Sequence, residues 1–263
     1  MANTSKATET EISIMKLDQG VVEFCILGTT PLIMHNMSQK ARGELLLPKG
    51  RKDAATRAAT LKHEPVVEYV EAAHKFSDKD AKETRLFLPG PAFKGAIATA
   101  ALDMPGARKA QIGRLCWVEG YSIPVFGRPE LFMSVVRNSD PNHTPDIRTR
   151  PILPEWACRL RVRYTKPLLR DNAVVNLLAA AGVIVGVGDF RQEKGKGSFG
   201  QFELVSADNP DFVRIVSEQG IAVQDDALAN PVAHDEDTEK LWAWFDVEVA
   251  QFRESKQAKK KAA

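Results

Sequence analysis

The first strongly apolar run, "VVEFCILG" from Val21 to Gly28, is β-branched and ends in glycine, which predicts a strand. Residues 1–19 before it are small, polar and charged, and are expected to be frayed. A long basic stretch from about 29 to 85, broken by Pro48 and Gly50, reads as an insertion, with "KARGELLL" and "DAATRAATL" as helical pieces inside it. At its end Leu86 to Leu88 form a short apolar entry and Pro89-Gly90 a turn. Pro91 then suits a first helical turn, and Phe93, Ile97 and Ala100/Ala101 recur as a helical stripe. "ARKAQIGRL" predicts a second short helix. "CWVEGYSIPVF" (Cys116 to Phe126) and "ELFMSVVR" (Glu130 to Arg137) predict strands on either side of Gly127-Arg128-Pro129. The turn-rich "NSDPNHTPD" and the returning "IRTRPIL" make the second of these a projecting β-hairpin.

A strict period of two follows. Cys158, Leu160, Val162 and Tyr164 alternate with Arg159, Arg161 and Arg163, a half-buried strand with its cations on one face. Asp171 is placed to cap the helix "NAVVNLLAAAG", and Gly182 to stop it. The glycine-rich loop "GVGDFRQEKGKGS" comes next, then "FGQFELV" as a strand. In "TEKLWAWFDVEVAQFRES", Leu241, Phe245, Val249 and Phe252 recur at helical spacing, for packing on the parent core or for a subunit contact.

Strand, helix, strand, then strand, helix, strand is the order of a ferredoxin-like or RRM-like βαββαβ unit, an α+β fold with helices on one face of an antiparallel sheet and the other face open. The expected organisation is a frayed 1–19, a palm over 20–206 with insertions at about 29–85 and 127–157, a C-terminal extension over 207–256 carrying the amphipathic helix, and a basic tail at 257–263.

Composition narrows the class. Of 263 residues 44% are hydrophobic and 27% charged, with a net charge of +2, so any anion-binding surface has to come from local clustering. The polar N-terminus lacks a signal-peptide core and no apolar run approaches the ~20 residues that span a bilayer, so a soluble, cytoplasmic protein with no membrane partner is expected. Cys25, Cys116 and Cys158 have no metal-ligand spacing and sit in or beside apolar runs, as buried free thiols do.

Clustering is present. Between residues 147 and 170 stand Arg148, Arg150, Arg159, Arg161, Arg163, Lys166 and Arg170 against Glu155 alone. A row of like charges needs either acidic neighbours or a polyanion, and this excess points to phosphate contacts. The glycine loop adds Arg191, Lys194 and Lys196, with amides that can form an anion-binding nest, although a long turn would use the same glycines. It is no Walker A loop, and Arg191 stands where a dinucleotide fingerprint needs its third glycine. His35, His63, His74 and His143 show no metal-site spacing, so neither metal nor cofactor is expected.

Three stretches together resemble the RAMP superfamily of CRISPR proteins, RNA-binding proteins of RRM fold that include the backbone subunit of effector complexes. Thr30-Pro31-Leu32-Ile33-Met34-His35 is similar to the family's segment after the first strand. Leu88-Pro89-Gly90-Pro91-Ala92-Phe93-Lys94-Gly95-Ala96-Ile97 is similar to its "IPGSSLKGALR" helix entry, and Gly186 to Phe202 to its glycine-rich loop. The resemblance implies a palm, a thumb-like hairpin over Leu131 to Leu153, and head-to-tail assembly along a strand. It also implies backbone contacts from Lys94 and the glycine loop. Target-cleaving members carry an aspartate after the first strand; Met34-His35-Asn36-Met37 has none, so target cleavage is not expected.

The expectation is therefore a non-catalytic protein binding single-stranded nucleic acid, RNA before DNA, together with copies of itself and other effector subunits. Its contacts would come from Lys94, Arg148, Arg150, Arg159, Arg161, Arg163, Arg191, Lys194, Gly195, Lys196 and Gly197, with Phe199 stacking on a base or packing beneath the loop. The alternative is an RNA-processing endoribonuclease with His35 as general acid or base. A third reading is a structural assembly protein whose basic face meets an acidic partner.

Overall fold

The computed structural model describes residues 14–37, 42, 45–46, 62–137, 142–194 and 197–261, and the side chains of these except Lys194 and 255–261. The two helical pieces expected around residues 40–61 fall almost wholly outside these residues, as do Gly195 and Lys196.

In chain order the first elements are β1 (Asp18–Gly28), β2 (Leu32–Ile33), α1 (Pro65–Ala72), β3 (Phe87–Pro89), α2 (Gly90–Ala100) and α3 (Lys109–Leu115). Then come β4 (Cys116–Val118), β5 (Ser122–Phe126), β6 (Glu130–Arg137), β7 (Pro145–Leu153), β8 (Ala157–Lys166) and α4 (Asp171–Ala180). After the glycine loop follow β9 (Phe202–Val205), α5 (Pro210–Glu218), α6 (Ile221–Ala229) and α7 (Glu236–Lys261). The class is α+β with antiparallel strand pairing. A main sheet runs β3-β5-β8-β1-β9, with β4 also on β8, and a second sheet runs β2-β7-β6.

The alternation in β8 sets the layers. Cys158, Leu160, Val162 and Tyr164 are buried, with Phe24 and Ile26 of β1, under the apolar stripes of α2 (Phe93, Ile97, Ala100) and α4 (Val174, Leu177, Leu178). The three arginines emerge on the far side. That side is not fully open as expected: Phe212 and Ile215 of α5, three residues apart, cover Leu27, Phe126 and Ala157. Asn209 caps this helix by accepting from the Phe212 amide, and Pro210 fills its first position.

Three local expectations are corrected. The run Cys116 to Phe126 is two strands, broken where Gly120 takes φ +82°, and the break leaves Glu119 beside β8. Asp171 is the first helical residue rather than the cap, and it accepts a hydrogen bond from the Tyr164 hydroxyl. Gly182 does not stop α4. The helix continues through a π-helical turn, Ala181–Val185, and ends at Gly186 with φ +74°. Gly182 serves close packing instead, because a Cβ there would lie 2.0 Å from the carbonyl oxygen of Phe202 in β9.

The C-terminal helices are tied to the main sheet by Gln224 of α6, which is fully buried. Its Oε1 accepts from the amides of Arg85 (2.7 Å) and Leu86 (3.0 Å), and its Nε2 donates to the carbonyls of Val125 (2.8 Å) and Gly127 (3.1 Å). Arg85 adds a bidentate pair with Asp225, at 2.6 and 3.0 Å. Gln224→Leu keeps the volume but strands three buried backbone groups and the half-buried Arg85 amide, so urea unfolding should show a loss of roughly 3 kcal/mol.

Candidate nucleic-acid interface

The hairpin β6–β7 pairs from Glu130↔Ile152 to Arg137↔Pro145. One face packs Leu131 and Met133 on Tyr69 of α1 and on Leu241, Trp242 and Phe245 of α7, so this part of the amphipathic helix is a core contact. The period of two turns Arg148 and Arg150 of β7, with Phe132 and Ser134 opposite them, to the other face.

That face meets the glycine loop. Arg150 is only 2% exposed; its Nη1 donates to Asp189 Oδ2 at 2.6 Å, its Nη2 to Ser134 Oγ at 2.8 Å, and its guanidinium lies 6.0 Å from the Phe132 ring centroid. Phe199 of the loop stands 6.3 Å from Phe132 and 6.2 Å from Phe190. The loop is also fastened to the chain after β1. The Asp189 amide donates to Ile33 O at 2.9 Å, the Gly200 amide to Pro31 O at 2.8 Å and the Gln201 amide to Thr30 Oγ1 at 2.9 Å. Three stretches far apart in sequence thus share one surface: the loop holding His35, the hairpin arginines and the glycine loop.

A cavity of about 190 Å³ opens there, lined by Met34, His35, His74, Leu88, Ala92 and Asp189 among others. Desolvation lowers the His35 pKa below its ordinary value; Asp189 opposes this, and Arg150 and Arg148 reinforce it. His74 is lowered too, by burial, then by His35 and Arg42. Burial pushes the Asp189 carboxyl up, but Arg150, the Phe190 amide and His35 together outweigh that and hold it below the ordinary carboxylate range.

The sequence candidates outside the hairpin and the glycine loop are dispersed. Arg159, Arg161 and Arg163 do share the far face of β8, but acidic neighbours stand beside two of them. Arg161 pairs with Glu23 (2.9 Å), its cross-strand partner, and with Glu119 (3.2 Å); Arg163 also pairs with Glu119. Arg159 lies over Phe126 and Phe212, at 6.0 and 5.7 Å. Lys94 is half-buried on α2, where its charge bears on Cys116, whose thiol burial pushes up to about 11. Arg191 pairs with Glu193 at 2.9 Å, and Gly197 is half-buried beneath the loop. His63 bonds Glu68 and Asp146, and His143 lies near the hairpin tip with φ +47°. Cys116 and Cys158 are buried free thiols and Cys25 is half-buried.

Asp189, Phe190, Phe132, Ser134 and His74 were not singled out as site residues from the sequence. Asp189 had a signal of a kind, as the one carboxylate between the second glycine of the loop and an aromatic. Among the described residues, no cluster of three His, Cys, Asp or Glu could hold a metal, and no helix is long and apolar enough to cross a membrane.

No family model and no curated protein matches the chain. Among solved structures it is similar to a chain in the cryo-EM structure of the Type III-B Cmr-beta bound to cognate target RNA, at 12% identity over 72% of this chain, with a TM-score of 0.34. It spans 59% of that chain's length. It is also similar to Cmr6 from Pyrococcus furiosus, at 9% identity over 72% of this chain and 98% of that one, again with a TM-score of 0.34. Likeness at this level fixes neither family nor function.

Asp189→Asn should destabilise the fold by roughly 2 kcal/mol at pH 7, less than for a fully buried pair because the carboxylate is 34% exposed. A depressed folded pKa gives stability that is present above the unfolded value of about 3.9 and lost as pH falls through the folded one. The gap between wild type and variant in urea unfolding should therefore close below about pH 4.

Proposed function

We propose that the protein binds single-stranded nucleic acid, RNA before DNA, across the surface where the hairpin, the loop after β1 and the glycine loop meet. The observation that carries this reading is the convergence of Arg148, the exposed His35 and the aromatic, glycine-rich loop on one patch, joined through the Arg150–Asp189 pair. Cations beside aromatic rings and open backbone are what a strand needs, since phosphates are neutralised and every base has a face to stack. The sheet order β5-β8-β1-β9, with α2 and α4 on one face, supports reading the main sheet as an RRM-like palm and β6–β7 as its thumb. With the three RAMP-like motifs, this favours a backbone subunit of a CRISPR-type effector or a related phage or mobile-element complex, assembled head-to-tail on the strand.

Within this reading Arg148 and the cations of the glycine loop are the principal phosphate contacts, with Lys94 on α2 and Arg159, Arg161 and Arg163 on β8 as further ones along the strand. Arg161 and Arg163 would have to leave Glu23 and Glu119 to hold phosphate. In fluorescence anisotropy, Arg148→Glu should weaken binding of single-stranded RNA by roughly tenfold at low salt and flatten its salt dependence, while Arg161→Glu with Arg163→Glu costs less. Equal affinity of Arg148→Glu and wild type would overturn the assignment. Regularly spaced nuclease-protected fragments would support the filament, and monomers on saturating RNA would remove it.

His35 and His74 on one cavity favour a second reading, RNA cleavage by a pair of imidazoles. One would take the proton of a 2′-hydroxyl as its oxygen attacks the adjacent phosphorus, and the other would protonate the departing 5′-oxygen, leaving a 2′,3′-cyclic phosphate. Both pKa values are lowered, so the singly protonated pair, and with it the rate, should peak on the acid side of pH 6.5. Cleavage of an RNA hairpin that survives in both His35→Ala and His74→Ala would exclude this reading.

A further inference from the structure

Phe190 has a backbone that its side chain does not favour. It takes φ +55°, the left-handed region, where a bulky residue is a true outlier. Among the described residues only His143, near the hairpin tip, is another non-glycine with positive φ. Strain of this kind persists where surrounding contacts over-determine it, and here they do. Asp189 accepts from the Phe190 amide through Oδ1 at 2.9 Å, and its other oxygen is held by buried Arg150. Arg191 on the other side donates through Nη1 to Gly188 O at 2.9 Å. Gly197 runs so close beneath that a Cβ there would stand 1.5 Å from Phe190 O.

All this backbone restraint does not bury the ring. Phe190 remains 40% exposed, while Phe199 is half-buried between it and Phe132. A core anchor would show the reverse, a relaxed backbone and a covered ring. Arg191 adjoins Phe190 in the loop, where it pairs with Glu193, and Arg150 is joined to the Phe190 amide through Asp189. Arg148 of the same hairpin bears on Arg150 and on His35. An exposed aromatic ring on a patch that also carries Arg148 and Arg191 has the chemistry of a base platform.

We infer that Phe190, held in left-handed backbone by the Arg150–Asp189 pair, is the residue on which a nucleobase of a bound single strand stacks, with Phe199 and Phe132 as its underlay. This rests on the nucleic-acid reading and deepens it. It moves the stacking role, which the sequence offered to Phe199, one ring outward. Stacking is indifferent to base identity, so the platform would set the position of a nucleotide without choosing it.

The test uses a single-stranded RNA 20-mer carrying one 2-aminopurine, with the full chain and its Phe190→Gly and Phe190→Trp variants. Glycine relieves the left-handed backbone, so Phe190→Gly should unfold at the same or higher urea while binding roughly tenfold or more weakly and losing the quenching that stacking produces. Phe190→Trp should keep both binding and quenching. If Phe190→Gly binds and quenches as wild type does, the inference falls and the nucleic-acid reading stands. If it fails to fold, the ring is a packing anchor and the inference falls as well. If wild type binds no RNA, both fall together.

Discussion

Much of the molecule's organisation hangs on one ion pair. Arg150 brings a guanidinium into the fold from the hairpin, and Asp189 meets it from the glycine loop at 2.6 Å. Either charge without the other would be poorly solvated, so the hairpin and the loop are held to a common geometry. Through the Asp189 amide the same residue reaches Ile33, at the end of the connection from β1. A two-stranded hairpin is marginal in isolation, and a glycine-rich loop loses much entropy on ordering. Here the hairpin is seated on α1, α7 and β2, and the ion pair extends that support to the loop, so both are fixed relative to β1.

The arginine row shows how a charge run changes meaning once strands are paired. Along the chain Arg161 and Arg163 stand among cations. Across the sheet, Glu23 lies opposite Arg161 in register and Glu119 reaches both from the break between β4 and β5. Their field is largely local. Arg150, counted within the same basic stretch, is one of the most deeply buried charges in the protein. Charge density read from sequence locates cations; only register tells which of them face solvent unopposed.

What the sequence made legible follows from periodicity. The period of two in β8, the stripe of α2 and the returning hairpin were readable because burial enforces them over many residues. Three short helices escaped, although the seven-residue α3 did not. α1, α5 and α6 run eight or nine residues, too few for a stripe to stand out, although Asn209-Pro210 before Phe212 is a cap signature. Gly182 misled because glycine marks both helix ends and close packing, and which applies depends on β9, twenty residues away. The candidate patch was legible only in parts. His35, Arg148 and the glycine loop were visible as separate features, whereas Asp189 and Phe190 gain their meaning from a partner on β7 about forty residues upstream in the chain.

Gln224 carries a consequence for the order of events during synthesis. The amides of Arg85 and Leu86 and the carbonyls of Val125 and Gly127 are satisfied by a side chain made about a hundred or more residues after them. A chain emerging from the ribosome has β3 and β5 well before it has α6. Until then the edge of the main sheet offers those groups to water or to a neighbouring nascent chain. The sheet is thus sealed late, and its edge is shielded only once the C-terminal helices arrive.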